Sequence, residues 1–138
     1  MTISPIETRY AGCKFRSRTE ARWAVAFDAF GFGWEYEPEG FALPSGAYLP
    51  DFKIHLPMVE WIEIKPPIHR AVDPRWQELV EATEVPLRVL YGVPGPDHEQ
   101  QTFRPKRRPT PRRQLAEDRR TAAVLAAWGK ARSARFGT

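Results

Sequence analysis

Residues 48–67 read YLPDFKIHLPMVEWIEIKPP, and the fold turns on how this stretch is parsed. Its second half, Val59 to Lys65, alternates and clusters β-branched and aromatic residues as a strand does. Pro66 and Pro67 close it, because proline has no N–H to give the ladder. Its first half, Tyr48 to Leu56, reads as the preceding strand, with Pro50 implying an edge position or a break and Pro57 ending it. Side chains two apart in a strand share a face. Glu63 and Lys65 therefore project together, while Ile62 and Ile64 point the other way, into the core. If the two runs pair as a hairpin, Asp51 lies within reach of Glu63.

Working outward, Ser17 to Phe30 is the clearest helix. Ser17 and Glu20 have the S-x-x-E spacing of a capping box, Trp23, Phe27 and Phe30 recur at helical period, and Gly31 and Gly33 stop it. Trp34 to Pro38, WEYEP, alternates as a half-exposed strand, and Gly40, Pro44, Ser45 and Gly46 mark turns. Beyond the central stretch, Asp73 caps a helix with Pro74 at its first position, running through Trp76, Leu79 and Val80 to about Thr83. Leu87 to Tyr91 is a last buried strand before Gly92. The predicted order is helix, strand, strand, strand, helix, strand, an α/β domain over residues 1–98. From Pro94 to Pro111 the chain is rich in Pro, Gln, Lys and Arg without periodicity, which predicts a linker or a loop strapped across the domain. Thr110 and Pro111 start a final helix through Leu115, Val124, Leu125 and Trp128 to about Ala134. Residues 99–138 thus read as a basic linker and C-terminal helix.

Composition narrows the class. A hydrophobic fraction of 42% in 138 residues supports one packed domain rather than wholesale disorder. No run approaches the roughly 18 apolar residues of a membrane span, and the first residues lack a secretory signal, so a soluble cytoplasmic protein is expected. The single cysteine, Cys13, excludes an internal disulfide, and with three scattered histidines it argues against structural zinc. Charge is uneven: residues 1–100 carry 10 Lys and Arg against 15 Asp and Glu, a balance of −5, while residues 101–138 carry 11 against 2, a balance of +9. That asymmetry predicts a polyanionic partner, with Arg104, Lys106, Arg107, Arg108, Arg112 and Arg113 as its grip; the competing reading is a solubilising tail.

Two carboxylates held close, as Asp51 and Glu63 would be, repel unless a cation sits between them. Mg²⁺ or Mn²⁺, hard ions that take oxygen ligands and keep waters, suit the pair, and Lys65 adds a mobile charge beside it. Phosphodiester hydrolysis uses these parts: a polarised phosphoryl oxygen, an activated water, and a cation for the accumulating negative charge.

Pro50-Asp51 followed by Glu63-Ile64-Lys65 resembles the PD…(D/E)xK signature of the restriction-endonuclease-like nuclease superfamily, over about residues 15–92. The blocks Ser17-Arg18-x-Glu20-Ala21-Arg22-Trp23, Tyr48-Leu49-Pro50-Asp51-Phe52 and Trp61-x-Glu63-x-Lys65 are similar to small phage-type members and to endonuclease subunits of transposition systems. The resemblance implies an αβββαβ core with a mixed central sheet and a metal-dependent nuclease acting on DNA, with RNA as the other polynucleotide open to it. It implies metal ligation by Asp51 and Glu63, joined by Glu20 on the first helix and the Ile64 carbonyl, and a Lys65 that serves the attacking water and the transition state. A homodimer or a larger phage assembly is the implied setting. Pro66-Pro67 departs from the looser Gly-containing turn common after the lysine. Each residue also has a plainer reading: Glu20 as a helix cap, Asp51 as a turn residue, Glu63 and Lys65 as an exposed ion pair. Glu35 and Glu37, without a basic partner in view, read as a solvated edge, and His55 as a packing residue. The alternative functions are a nuclease-fold module that binds DNA without cutting, and a structural protein whose tail grips an acidic partner.

Overall fold

The computed structural model describes residues 8–69 and 71–106. An N-terminal ribbon pairs β1 (Thr8–Tyr10) with β2 (Cys13–Phe15), and α1 (Arg18–Ala29) follows. Next come β3 (Gly33–Tyr36), the small hairpin β4 (Phe41–Leu43) and β5 (Gly46–Tyr48), then β6 (Phe52–Leu56) and β7 (Glu60–Lys65). Helix α2 (Pro74–Thr83), β8 (Leu87–Tyr91) and β9 (Glu99–Phe103) complete it. The main sheet runs β3-β6-β7-β8-β9; β7 and β8 are parallel and every other neighbouring pair is antiparallel. This is a mixed α/β architecture with a mixed five-stranded sheet and two helices.

Local chemistry sets the helix ends. Ser17, extended at φ −147°, accepts the Glu20 N–H and starts α1. The helix closes when Phe32 N–H reaches the Phe27 carbonyl at 2.8 Å and Gly31 N–H the Asp28 carbonyl at 3.0 Å. That 6→1, 5→2 pair requires a left-handed residue at Gly31, whose φ is +74°. Asp73 caps α2 ahead of Pro74, as its sequence predicts, and Glu84 ends it in the left-handed region.

Strand alternation divides the core in two. Phe52, Ile54, Ile62 and Leu90 face α1 and meet its Trp23 and Phe27; Trp61, Leu87 and Val89 face α2 and meet Trp76, Leu79 and Val80. On the α1 side Glu60 and Arg88, both buried, form a two-point ion pair at 2.6 and 3.3 Å. No helix among the described residues is long and apolar enough to cross a membrane.

Three expectations need correction. Tyr48–Leu56 is not one strand: Pro50 interrupts it, so Gly46–Tyr48 turns back on Phe41–Leu43 and the main-sheet strand resumes at Phe52. The ribbon β1–β2 went unpredicted, each strand being three residues long. Glu99–Phe103, read as linker, adds a fifth strand beside β8 and carries the sheet past residue 98. Its sequence, EQQTF, is polar because an edge strand has solvent on one side, so it lacks the apolar alternation that marks a strand. The expected C-terminal helix lies outside the described residues, as do Arg107, Arg108, Arg112 and Arg113.

Candidate active site

The antiparallel register sets Phe52 against Ile62. One residue earlier on that strand and one later on its partner are Asp51 and Glu63, which come level at the ends of β6 and β7. Asp51 turns its carboxylate onto the partner strand, where Oδ2 accepts the Ile64 N–H at 2.8 Å. Lys65 follows on the same face of β7, its Nζ 3.3 Å from Glu63 Oε2. Asp51, Glu63 and Lys65 are thus gathered at one end of the sheet. Their grouping follows from strand period and register alone.

The electrostatics are those of a crowded pair, Glu63 buried and Asp51 half-buried. The Glu63 side chain is only 7% exposed, and its Oε1 is buried without a hydrogen-bond partner. Burial pushes the Asp51 carboxyl well above the usual range, and the charge of Glu63 pushes it further, while the Ile64 N–H and Lys65 pull it back. Burial also raises Glu63, against the opposing pull of the Lys65 ammonium. The Tyr48 hydroxyl is buried and unpartnered nearby. Burial and then the Glu63 charge raise its phenol far above the ordinary value, although it does not meet hydrogen-bond geometry with that carboxylate.

Glu20 approaches from α1. Both of its oxygens are engaged: Ser17 donates its hydroxyl to Oε1 at 3.0 Å and Tyr36 donates to Oε2 at 2.6 Å. Its charge still reaches Asp51, adding to the rise there. Among the described residues no three His, Cys, Asp or Glu side chains converge on one point, so Glu20 does not complete a cage with Asp51 and Glu63. What remains is a two-carboxylate set, with the Ile64 carbonyl on the same strand. Mg²⁺ is commonly held by one or two carboxylates plus waters. The unpartnered Glu63 oxygen and the repelling Asp51 fit such an ion.

Around this centre lie residues that sequence reasoning missed. Tyr36 also accepts the Arg16 N–H at 3.2 Å, joining Glu20 to the ribbon. Arg75 pairs with Asp73 at 2.6 Å, donates to the Ala47 carbonyl at 2.6 Å, and lies 5.1 Å over the Tyr48 ring. The contacts of Tyr36 with Arg16, and of Arg75 with Ala47 and Tyr48, were not legible, since they join elements far apart in sequence. Glu37, expected to lack a basic partner, pairs with Arg16 at 2.9 Å, and its N–H donates to the Asp51 carbonyl at 2.7 Å. Glu35 has His55 at 2.7 Å, close but without hydrogen-bond geometry. Arg104 and Lys106 sit exposed beyond β9, their backbones held by Gln77 and Glu81 of α2 rather than among the site's carboxylates.

No protein-family model and no curated protein matches this chain. A crystal structure of SSO0001 is similar at a TM-score of 0.37 with 15% identity, over 84% of this chain and 58% of that one. The chain therefore spans less than two thirds of that protein's length.

Proposed function

We propose that the protein is a metal-dependent nuclease of the PD-(D/E)xK type, with a restriction-endonuclease-like core, hydrolysing phosphodiester bonds in DNA. The observation that carries this reading is the buried Glu63 beside the half-buried Asp51, with an oxygen of Glu63 left unpartnered and Lys65 at 3.3 Å. A fold holds two carboxylates close together, one of them buried, only at a cost, and a resident cation removes it. An exposed strand ion pair, the plain alternative for Glu63 and Lys65, does not account for a glutamate this deeply buried.

Asp51 and Glu63 would hold Mg²⁺ or Mn²⁺, with the Ile64 carbonyl beside them. The ion, when bound, polarises a phosphoryl oxygen and acidifies a coordinated water. Asp51 keeps its aim through the Ile64 N–H, which fixes one oxygen and leaves the carboxylate turned along β7. Lys65, tethered by Glu63, offers an ammonium to the attacking water and to the charge gathering on the phosphorane. Glu20 contributes negative charge at Asp51 from a carboxylate fixed by Ser17 and Tyr36.

The test is a cleavage panel of supercoiled, linear, single-stranded and branched DNA, and RNA, with Mg²⁺, Mn²⁺ or chelator. Cleavage of at least one DNA substrate that stops in chelator supports the reading. DNA binding without cleavage in either metal replaces it with a non-cutting DNA-binding module.

A further inference from the structure

The first two dozen residues carry a charge pattern that the fold itself does not favour. Arg9 and Lys14 are directly paired across the β1–β2 ribbon and both are exposed. Like charges opposed on a ribbon repel. Arg18 and Arg22, also exposed, stand four apart on α1, where like charges again repel. Arg18 is moreover the first residue of the helix, the end at which the macrodipole disfavours a cation. The last turn, where a base would be favourable, holds none and carries Asp28 instead. Glu20 suits the first turn, but Arg18 and Asp28 each sit at the end of the helix that disfavours them.

This surface adjoins the candidate site. Arg16, between the ribbon and α1, pairs with Glu37, whose N–H holds the Asp51 carbonyl. Tyr36 joins the Arg16 N–H to Glu20. The Arg16 side chain is 71% exposed, so water screens its pair with Glu37 and a phosphate can take the guanidinium over. The residues up to 100 are net negative, yet residues 9–22 hold five bases against Glu20 alone.

We infer that the ribbon and the first turns of α1, through Arg9, Arg18 and Arg22, form a binding surface for a nucleic-acid backbone that leads to the Asp51–Glu63 end of the sheet. The inference uses the nuclease reading only to choose among polyanions: a polynucleotide is favoured because the surface is joined by hydrogen bonds to that site. It is separate from the basic segment after residue 100. Repulsion within the patch is relieved when phosphates bind and their counterions leave.

The test uses the full chain in chelator, where DNA stays intact. Binding of labelled duplex and single-stranded DNA is followed across a KCl series for wild type, Arg9→Glu/Arg18→Glu/Arg22→Glu, and the double variant Arg18→Glu/Arg22→Glu. Each lost contact should flatten the log–log salt slope on duplex by about 0.9, so the triple variant loses about 3 and the double about 2. The double variant should melt near the wild-type temperature, since an acid at position 18 suits the helix start while like charges four apart remain. If the triple variant fails to fold, the double variant decides. An unchanged slope and affinity overturns the inference, as does a wild type that binds no polynucleotide. Loss of binding to phosphatidylserine vesicles with DNA binding retained also overturns it and assigns the patch to a membrane. DNA binding that depends on the patch, with no cleavage in Mg²⁺, leaves it standing while removing the nuclease reading.

Discussion

Removing Arg88 should cost several kcal/mol of stability, about 3–5 by the usual scale of a broken buried pair. The Arg88 and Glu60 side chains are each only 4% exposed and meet at 2.6 and 3.3 Å. Arg88→Met keeps most of the aliphatic stem but leaves Glu60 in the core without its partner. Breaking a buried pair by removing one partner costs about 3–5 kcal/mol, against a total stability of ~5–15 kcal/mol for an ordinary domain. With a urea dependence of ~2 kcal/mol per molar, the midpoint should fall by roughly 2 M. Glu60→Met/Arg88→Met removes both charges and should recover most of that loss, because desolvating an ion pair is itself expensive. The pair also bears on the site. Arg88 is aligned with Ile62 across the parallel β7–β8 junction, so it helps fix the register that sets Glu63 against Val89 and Lys65 against Tyr91. Urea denaturation of the two variants is the assay. A loss below ~1 kcal/mol for Arg88→Met, or a double variant no better than the single, would refute the account of this pair.

Further outcomes follow from the same geometry. Asp51 and Glu63 hold their protons more tightly folded than unfolded, so they contribute stability below the unfolded carboxylate range and lose it as pH rises through their raised values. Metal-free protein should therefore weaken from mild acid toward neutrality, and Asp51→Asn should flatten that decline in pH-dependent melting while abolishing cleavage. Saturating Mg²⁺ should restore stability at neutral pH, by about 2.7 kcal/mol at a hundredfold excess over Kd, read by thermal shift. Glu20→Gln keeps one oxygen to accept from a hydroxyl, lets its amide donate to the other, and removes the charge; turnover should fall with melting little changed, and a fully active variant would leave Glu20 a helix cap. Gly92→Ala should cost about 1–2 kcal/mol in urea, since Gly92 sits at φ +80°, a left-handed conformation that a side chain strains.

Some of this was legible in sequence for simple reasons. Strand period alone put Glu63 and Lys65 on one face, and Ser17, Asp73 and Pro74 announced both helices through capping chemistry. The parallel junction of β7 and β8 follows from the helix between them. What escaped depended on contacts across the fold. Arg88 in a buried strand demanded an acid, but nothing local said that Glu60 would supply it. Pro50 was read as a possible break, yet the hairpin it frees at Phe41–Tyr48 depends on packing against α2. The N-terminal ribbon is too short for any periodicity, and β9 is polar because it lies at an edge. The charge balance of residues 1–100 concealed the basic patch, since net charge averages over surfaces that face different ways.

The central claim is that Asp51, Glu63 and Lys65 are one catalytic unit, and the most direct measurement is single-turnover DNA cleavage by Lys65→Ala beside wild type, with Mn²⁺ binding measured on the same preparations. Lys65 touches Glu63 but is not a metal ligand in this arrangement, so the variant should bind Mn²⁺ nearly as well as wild type while its cleavage rate falls by about 10²-fold or more, the scale of losing one transition-state donor. Undiminished cleavage by Lys65→Ala, or a wild type that neither binds Mn²⁺ nor cuts DNA, would contradict the account.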